Sequence, residues 1–269
     1  MAWSPSFRSF SLTKTNGVMI GEASDAGPVR LRQDPLLYGG SSFSKLGLTG
    51  RKLKLEGVVR GTTSVEHRDR QAALMKLLQD PSAGVLSLDD SREILVIPDP
   101  GDSSPNPGSS GLSSEWDCTF LTQEPFWRGT TDSTGTLTVT GSGNVSGAVT
   151  NLGDAPAVPL WTITNNGAAT LTDVTATIRN LDSGDEFRLF KFALDPGHVL
   201  TIDPVTDQIY LSSGISVSSY APQRVDGIFF ELLAGSNTVE VEHNFGAGVN
   251  VAVKATWRSR FFTFGEFGG

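Results

Sequence analysis

The chain has 269 residues, of which 38% are hydrophobic and 19% charged, and its formal net charge is −8. This length allows one large domain or two smaller ones, with a hydrophobic core that needs no metal or disulfide support. The acidic balance excludes a basic surface for tight, direct binding to nucleic acid. Cys118 is the only cysteine, which rules out a disulfide within the chain and suits folding in a reducing cytosol.

Charge differs between the two halves of the chain. Residues 1–130 contain 14 Lys and Arg against 15 Asp and Glu, whereas residues 131–269 contain 7 against 14. The first half is therefore nearly neutral and the second half is acidic. This difference predicts an N-terminal domain at 1–130 and a C-terminal domain at 131–269. The 30 glycines and the frequent Ser and Thr favour short strands joined by turns in both.

The N-terminal half begins with alternating apolar and polar residues. "FRSFSLTK" and "GRKLKLEGVVRG" repeat with a period of two, which predicts half-buried strands. Asn16-Gly17 predicts a two-residue hairpin turn, because both residues tolerate positive φ. Residues 33–50 are rich in Gly and Ser and predict a long loop.

Residues 62–81 interrupt the β pattern. Thr63 and Glu66 have the spacing of a capping box, and Pro81 ends the segment. These signals predict one helix over 64–79. Its apolar stripe consists of Ala73, Leu74, Leu77 and Leu78.

The rest of the first half predicts strands around another loop. "GVLSLDDSREILVIPDP" predicts a hairpin with strands near 85–88 and 93–98, and the Pro-, Gly- and Ser-rich residues 100–114 predict an exposed loop. In the strand that follows, Trp116, Cys118 and Phe120 alternate onto one side. Cys118 is therefore predicted to be a buried structural thiol.

The second half contains almost only strand and turn signals. Their spacing is close to 8–12 residues, which is typical of a β-sandwich or barrel, and no helix is predicted. The predicted strands are "TLTVTG", "GAVTNLG", "PLWTITNNG", "TDVTATIRNLD", "EFRLFKFA", "HVLTIDPVTDQIYLSS", "DGIFFELLAG", "NTVEVEHNFG" and "VNVAVKATWRSRFF".

Catalytic and metal-binding signatures are missing from the sequence. His67, His198 and His243 are far apart, without the spacing of zinc ligands, and are predicted to be surface or capping residues. The carboxylates at 182–207 have the spacing of turns, although acids that converge only in three dimensions stay open as an alternative. Trp161 and Trp257 are predicted core residues, with stacking on sugars as the alternative. The start "MAWSPSFRSF" lacks a signal peptide, and no membrane insertion is expected.

Five segments occur in an order that carries a family resemblance. "DCTFLTQEPFWRG" is similar to a strand-end signature Asp-Pro-Phe/Tyr-Trp, with Glu124 in place of the Asp. The other four are "NLGDAPAVPLWTITNNG", "GHVLTIDPVTDQIYL", "FFELLAGSNTVEV" and "VKATWRSRFF". Together with "LEGVVRG", the helix and the hairpin of the first half, they resemble the siphophage distal tail proteins, which are phage tail components. The resemblance covers essentially the whole chain.

The resemblance implies a mainly β fold and a structural role. The fold is an N-terminal β domain with one α-helix, of the tail-tube-like ring type, followed by a C-terminal galectin-like β-sandwich. Six copies form a ring at the distal end of a long non-contractile tail, between the tail tube protein and the tail-tip hub or fibre protein. DNA passes through the central channel without specific binding, as does the tape-measure protein.

The same resemblance implies a place in the virion tail, at the tip or baseplate, with assembly in the cytoplasm of the bacterial host. The particle is a phage, a prophage product or a phage-derived particle such as a gene transfer agent. No enzyme activity, cofactor or metal is expected. The alternative function is a carbohydrate-binding module that contacts the host envelope, although the loops leave no room for the inserted carbohydrate-binding domain that some relatives carry.

The residues that mark the resemblance are predicted to shape the fold and not to bind a ligand. Asp154 is a turn residue, and the nearby prolines keep their segment out of central sheet pairing. Gly235 to Asn237 turn one strand into the next, and Trp257 packs in the core while Arg258 and Arg260 face away from it. Channel and interface residues are not assigned. The full set of marker residues is Pro125, Phe126, Trp127, Gly153, Asp154, Pro156, Pro159, Asp203, Gly235, Asn237, Trp257, Arg258 and Arg260.

Overall fold

The chain folds into two compact units. The first unit consists of Met1–Thr130 together with Phe262–Gly269, and the second consists of Thr131–Phe261. The computed structural model describes residues 3–26, 29–35, 41–48, 50–89, 91–107, 111–122, 124–141, 143–206, 208–213, 216–219, 224–227, 229–246 and 248–263.

The first unit contains strands, one α-helix and one 3₁₀ helix in the part of the chain that the structure describes. In chain order these elements are β1 Trp3–Phe7, β2 Phe10–Ser11, the 3₁₀ helix Lys14–Asn16, β3 Val18–Ala26, β4 Val29–Pro35, β5 Ser41–Leu48, β6 Lys52–Arg60, α1 Ser64–Leu78, β7 Gly84–Asp89, β8 Arg92–Pro107, β9 Ser113–Thr122 and β10 Trp127–Gly129.

The main sheet of the first unit is a continuous antiparallel path. Its order is β2-β1-β7-β8-β9-β6-β3, and β10 also pairs with β8. β2 and β3 are at opposite ends of the path, yet only residues 12–17 join them. A flat sheet of these strands, about 4.8 Å apart, would separate its ends by roughly 29 Å, whereas the extended linker spans about 24 Å. The sheet therefore cannot be flat, and its end strands lie closer together than in a flat sheet.

Apolar residues on alternate strand positions fill one face of this sheet. Trp116, Cys118 and Phe120 are all buried, as their alternation predicts. The rings of Phe7 and Phe120 meet edge to face at 5.1 Å, a favourable geometry for an aromatic pair.

The predicted helix is present as α1 and packs against β6, β8 and β9. Its N-terminus has a modified capping box. Thr63 Oγ1 accepts a hydrogen bond from the Glu66 backbone N–H at 3.1 Å, and the Glu66 carboxylate accepts from the Thr62 N–H at 2.7 Å. The hydrogen bonds from Thr62, followed by the charge of Arg70, hold the pKa of Glu66 below its usual value.

The buried stripe of α1 differs from the predicted one. Leu74 and Leu78 are buried, but Leu77 is half-buried and Ala73 is exposed. His67, predicted to be a surface or capping residue, is buried instead. That prediction was wrong because His67 Nε2 finds a polar partner inside the unit, Ser114 Oγ of β9 at 3.0 Å, which offsets the cost of burying the ring.

Both segments predicted as long loops contain strands. β4 pairs with β5 from Val29 opposite Leu48 to Pro35 opposite Ser41, and the end of β8 pairs with β9 up to Pro107 opposite Ser114. The loop predictions were wrong because an adjacent strand partner outweighs the low strand propensity of Gly, Ser and Pro. At its prolines, β8 pairs with β9 on one side and, among the described strands, with no strand on the other. An edge of this kind tolerates the missing N–H of proline.

The Asn16-Gly17 pair does not form the predicted hairpin turn. Asn16 ends the 3₁₀ helix, and Gly17 caps it with φ 67°. β2 and β3 on either side pair with other strands, because the strand order of the sheet places these two at its opposite ends.

The last described residues of the chain belong to the first unit, although the sequence predicts them in the C-terminal domain. Arg51, which is buried, donates from Nη2 to the Phe262 carbonyl oxygen at 2.5 Å. Arg92 Nη1 donates to the Thr263 carbonyl oxygen at 2.7 Å. The Phe262 ring also meets the Phe126 ring edge to face at 5.4 Å. These contacts explain why the second unit ends at Phe261.

The second unit consists of strands alone in its described residues. They are β11 Ser133–Val139, β12 Val145–Asn151, β13 Leu160–Asn165, β14 Leu171–Asn180, β15 Glu186–Leu194, β16 Val199–Asp203, β17 Gln208–Ser213, β18 Ser216–Ser219, β19 Arg224–Gly227, β20 Gly235–His243, β21 Val251–Trp257 and β22 Arg260–Phe261.

Two antiparallel sheets of the second unit enclose one core. Their orders are β11-β21-β13-β16-β17-β18 and β12-β20-β14-β15-β19, and inward residues of both sheets belong to a single buried apolar cluster. Trp161 of β13 is fully buried, with its ring 5.4 Å from that of Phe230 and 6.0 Å from that of Phe187. Trp161 is therefore a core residue, and the mainly β fold with one α-helix agrees with prediction. The galectin-like character of the sandwich stays a prediction.

The pairing of β14 with β15 contains two register shifts. Asp173 and Lys191 have positive φ, 55° and 51°, at these shifts. As a result, the inward positions of β15 change from Phe187 and Leu189 to Phe192 and Leu194. A β-bulge thus lets a nearly continuous apolar sequence keep its large side chains in the core.

The predicted strand "DGIFFELLAG" is mostly irregular. β19 ends at Gly227, where φ is 91°. Of the described residues 229–234, only Leu232 makes a bridge, an isolated one to Ala157. Phe230 and Leu232 are nevertheless buried. The apolar pattern that predicted a strand therefore reflects core packing of an irregular segment, which sequence periodicity does not distinguish from a ladder.

Replacing Trp257 by Ala is expected to lower the free energy of unfolding by about 3–5 kcal/mol, because a large buried ring leaves a cavity. Trp257 is 4% exposed at the end of β21. Urea denaturation of both proteins measures the difference. Leu152→Ala, at a side chain that is 76% exposed, is the control and is expected to change stability little. Equal stability of Trp257→Ala and the control would contradict the core position.

Candidate functional site

The marker residues at 125–127 lie in the first unit. Phe126 and Trp127 are buried, and Trp127 begins β10. Pro125 is half-buried in the bend before it. The prediction from sequence is that these residues mark the fold, and the burial of Phe126 and Trp127 is compatible with a packing role.

The segment around Pro156 lies along two other parts of the second unit. The Ala155 N–H donates to the Arg260 carbonyl oxygen at 3.1 Å, and Ala157 exchanges two backbone hydrogen bonds with Leu232. Gly153 leaves no room for a side chain, since a Cβ atom there would lie 2.1 Å from the Arg260 carbonyl oxygen. These two isolated bridges join residues 155–157 to Arg260 and Leu232 without forming a continuous β-ladder. Around them, Asp154 is exposed, Pro156 half-buried and Pro159 buried.

Asparagine and aspartate side chains close the turns at the ends of several strands. Asn151, Asn165 and Asn180 are the last residues of β12, β13 and β14, and each is buried. Their Oδ1 atoms accept hydrogen bonds from the N–H two residues later, at 3.1, 3.0 and 3.1 Å. Asp203, the last residue of β16, does the same with the N–H of Val205 at 2.9 Å. These are Asx turns, in which the side chain replaces a backbone partner.

The amides of Asn151 and Asn165 also join distant parts of the chain. Asn151 Nδ2 donates to the carbonyl oxygens of Ala155 and Leu232, at 2.9 and 3.3 Å. Asn165 Nδ2 donates to those of Ala169 and Leu194, at 2.8 and 2.9 Å. One side chain in each case therefore orders a turn and satisfies two backbone carbonyls, groups that are costly to bury unpaired.

Asn237 is fully buried and has hydrogen bonds at both ends of its amide. Oδ1 accepts from the Leu233 N–H at 2.8 Å and from Asn180 Nδ2 at 3.0 Å. Nδ2 donates to the Leu233 and Gly235 carbonyl oxygens, at 2.9 and 3.1 Å. Asn237 lies within β20, opposite Val149, so the turn precedes it and does not include it.

Gly235 has φ 90° at the first position of β20, a conformation that favours glycine. The predicted turn at Gly235 to Asn237 is therefore displaced toward the N-terminus. Its physical cause is the Asn237 side chain, which reaches back and holds both backbone groups of Leu233.

Trp257 and the two marker arginines alternate as predicted, but across a break in the strand. Trp257 ends β21, and Arg260 begins β22. Arg258 Nε donates to Asp132 Oδ1 at 2.9 Å, and Arg260 Nη1 lies 3.4 Å from Glu231 Oε1. The pair of Arg258 with Asp132 is exposed on both sides and contributes little to stability, whereas Arg260 is largely buried and its partner Glu231 is exposed.

A charged network on the outer face of β14, β15 and β20 was not anticipated from the sequence. Arg179 lies 2.7 Å from Glu186, 3.1 Å from Glu240 and 3.7 Å from Glu242. The hydrogen bond that Arg179 Nε donates to Glu186, and then the charges of all three carboxylates, raise the pKa of Arg179. The only signal in the sequence is the position of these residues on alternate sites of three strands, and the pairing of those strands is not encoded locally.

Next to this network is a shallow polar groove of about 240 Å³. Arg188 Nε donates to Thr177 Oγ1 at 2.8 Å, and its guanidinium lies over the Phe190 ring, 5.5 Å from the centroid. The remaining lining residues are Thr175, Glu242, His243 and Asn244. Because the Arg188 guanidinium already covers a face of Phe190 and binds Thr177, the arrangement is typical of a solvated sheet face.

His243 borders this groove and is held by its surroundings. Its ring stacks on Phe245, with centroids 4.6 Å apart, and Nε2 lies 2.9 Å from the Gly143 carbonyl oxygen. Burial lowers the pKa of His243, and the hydrogen bond to Gly143 opposes this only in part. The third histidine, His198, lies 4.0 Å from Asp195.

Within the described residues, no group of three or more His, Cys, Asp and Glu side chains has a metal-binding arrangement. Cys118 is buried in the first unit, as predicted. Among the helices described, none is long and apolar enough to cross a membrane.

The fold is similar to that of a phage protein of known structure. The crystal structure of the Dit (gp 19.1) protein of phage SPP1, called a paradigm of the hub adsorption apparatus in phages infecting Gram-positive bacteria, superimposes with a TM-score of 0.70 at 16% identity. The match covers 96% of this chain and 99% of that one. The chain therefore has the Dit fold, which confirms the resemblance at the level of structure.

Weaker similarity extends to the baseplate of phage P2 in its activated conformation. The structure with Ca matches with a TM-score of 0.46 and the structure with Sr with 0.45, each at 10% identity over 94% of this chain and 98% of the other. No protein-family model and no curated protein matches the sequence.

Replacing Asn237 by Ala is expected to lower the free energy of unfolding by about 3 kcal/mol, because it leaves buried backbone groups of Leu233 without partners. Urea denaturation measures the change. Asn144→Ala, at an exposed asparagine of the same unit, is the control and is expected to be nearly neutral. A loss no larger than that of the control would show that the amide does not hold the turn.

Stability is expected to fall as the pH drops below the ordinary histidine pKa of 6.5. The folded state binds a proton at His243 less readily than the unfolded state. The contribution of His243 to the free energy of unfolding is therefore fully present above pH 6.5 and is lost as the pH falls toward the lower pKa of the folded state. Thermal melts at about pH 7.5 and about pH 5.5 test this, with His243→Gln as the comparison. An unchanged pH dependence in His243→Gln would exclude a contribution from this residue.

Proposed function

We propose that the chain is the distal tail protein of a long non-contractile phage tail, or of a phage-derived particle such as a gene transfer agent. The observation that carries this proposal is the correspondence to the SPP1 Dit fold over nearly the whole length of both chains. The order of the five sequence segments, which resembles the same family, supports it independently. In this role the chain is a structural component and not an enzyme.

The proposed assembly is a homo-hexameric ring at the distal end of the tail. The first unit forms the ring around a central channel, and the second unit is the outward-facing sandwich. The ring joins the tail tube protein to the tail-tip hub or fibre protein. The tape-measure protein and the DNA pass through the channel, and the nearly neutral charge of residues 1–130 is compatible with DNA passing without specific binding.

The main sheet of the first unit supports assembly through its ends. Among the described strands, β3 pairs only with β6, and β2 pairs only with β1. Each end of the sheet therefore keeps one edge for contacts with another chain. Two different edges allow head-to-tail contacts, which close into a ring when the rotation between copies permits it.

The location that follows is the tip or baseplate of the virion tail, after assembly in the bacterial cytoplasm. No cofactor is part of the proposal.

Purified protein is expected to form six-membered rings with a central hole, visible by negative-stain electron microscopy and by native mass spectrometry. Mixing with the tail tube and hub proteins of the same particle is expected to favour the ring. A chain that stays monomeric alone and with both partners would overturn the proposal. Retention on a glycan array without any such assembly would favour the carbohydrate-binding alternative.

A further inference from the structure

Two strands of the second unit form regular open edges of its two sheets. Among the described strands, β11 pairs only with β21, and β12 pairs only with β20. Both strands have seven residues and keep one register along their ladders. Each strand therefore offers an edge at which another strand can pair.

The backbone of β11 directs alternate N–H and C=O groups to its open edge. Just beyond β13, the Asn166 N–H donates to the Asn250 carbonyl oxygen at 2.8 Å, on the side that faces β21. Because these groups alternate between the two sides of an antiparallel strand, even-numbered residues of β21 bond to β13 and odd-numbered ones bond to β11. The residues of β11 whose backbone groups then face the open edge are Thr134, Thr136 and Thr138.

The same alternation holds on β12. The Leu181 N–H donates to the Thr238 carbonyl oxygen at 2.8 Å, on the side of β20 that faces β14. Odd-numbered residues of β20 therefore bond to β12. The residues of β12 whose backbone groups face the open edge are Ser146, Ala148 and Thr150. Like the three threonines of β11, these residues have exposed side chains.

These two edges lack the features that usually discourage pairing with another chain. Residues 133–153 contain no Asp, Glu, Lys, Arg or Pro, whereas residues 131–269 as a whole contain 7 Lys and Arg against 14 Asp and Glu. Natural edge strands commonly carry charges, prolines or bulges that prevent such pairing. An uncharged edge lets a second acidic unit approach without like charges meeting at the contact.

The two open edges lie level with each other across the sandwich. A Cβ atom on Gly135 of β11 would lie 2.8 Å from Val149 Cγ2 of β12, and one on Gly147 of β12 would lie 3.7 Å from Leu137 Cδ2 of β11. These contacts join the residues on either side of the middle of one edge to those on either side of the middle of the other. The middle residues, Thr136 and Ala148, therefore lie at the same level.

We infer that the second units of two copies of the chain pair edge to edge about a two-fold axis. The axis passes between Thr136 of one copy and Thr136 of the other, so that the two β11 strands pair antiparallel. Because Ala148 is level with Thr136, the same axis pairs the two β12 strands through Ala148. Along β11, threonine then lies opposite threonine at each outward position, a favourable cross-strand pair.

A second copy is the occupant that these edges fit. An occupant must supply two strands at the spacing of the two sheets, and another copy of the same unit does so. The contact is isologous, and adjacent copies in a cyclic ring are not related by a two-fold axis. It therefore joins free chains or copies that belong to separate rings, and it does not rest on the proposed function.

Cross-linking of full chains with single cysteine substitutions tests the pairing. Thr136→Cys treated with dibromobimane, a short reagent that joins two thiols, is expected to give a covalent homodimer, because paired residues have Cα atoms about 5.5 Å apart. Thr138→Cys is the matched control and is expected to give none, because its two copies are offset by about 14 Å along the strands. A mixture of Thr134→Cys and Thr138→Cys chains, which the axis places opposite each other, is expected to give a heterodimer.

The unmodified chain measures the background from Cys118, which is buried. Absence of the Thr136→Cys homodimer would overturn the pairing. Equal cross-linking of Thr136→Cys and Thr138→Cys would overturn the two-fold register.

A second measurement removes the outward N–H groups. The double variant Thr136→Pro, Ala148→Pro keeps the ladders to β21 and β20 and is expected to weaken self-association in sedimentation velocity by about tenfold or more. Its far-UV circular dichroism spectrum checks that it folds. Thr136→Val with Ala148→Ser retains both N–H groups and is expected to associate like the unmodified chain. Equal association of the two double variants would overturn the edge contact.

The outcomes separate this inference from the proposed function. Six-membered rings without the Thr136→Cys homodimer would overturn the edge contact and leave the ring in place. The homodimer in a chain that forms no ring, even with the tail tube and hub proteins, would support the edge contact and overturn the proposed hexamer.

Discussion

Side-chain amides at the ends of strands are the constraint on which the second unit depends. A sandwich of short strands reverses its chain many times, and each reversal removes backbone groups from the ladders. Where the reversal is buried, those groups need partners other than water. Asn151, Asn165 and Asn180 supply them from the final position of three strands, and Asn237 adds a fourth amide that binds Asn180 directly. The aromatic core can be dense because the polar backbone at its border is satisfied.

The first unit depends on a different constraint, the short connection between its end strands. Because residues 12–17 join the two ends of the sheet path, the sheet is not flat. Its buried face is covered by alternating apolar residues and by one side of α1. Part of the opposite face is apolar between acidic residues.

Local patterns predicted the elements whose signal lies within a few residues. The capping residues Thr63 and Glu66 predicted the start of α1, and the alternation of Trp116, Cys118 and Phe120 predicted their burial. Predictions that required a distant partner were less accurate. His67 is buried with Ser114 Oγ as its hydrogen-bond partner. The Gly- and Ser-rich segments form strands because neighbouring strands pair with them.

The sequence by itself determined the fold class, the mainly β composition with one helix, and the resemblance to distal tail proteins, because these depend on periodicity and on the order of short segments. Only the tertiary structure decided which strands are neighbours. Strand pairing places Arg179 among three carboxylates. The folded chain also brings the Phe262 carbonyl oxygen into a hydrogen bond with Arg51 of the first unit. The apolar residues on one face of β7, β8 and β9 are Val85, Leu95, Ile97 and Leu121. Strand pairing joins residues that are far apart in the chain, so no local pattern contains it.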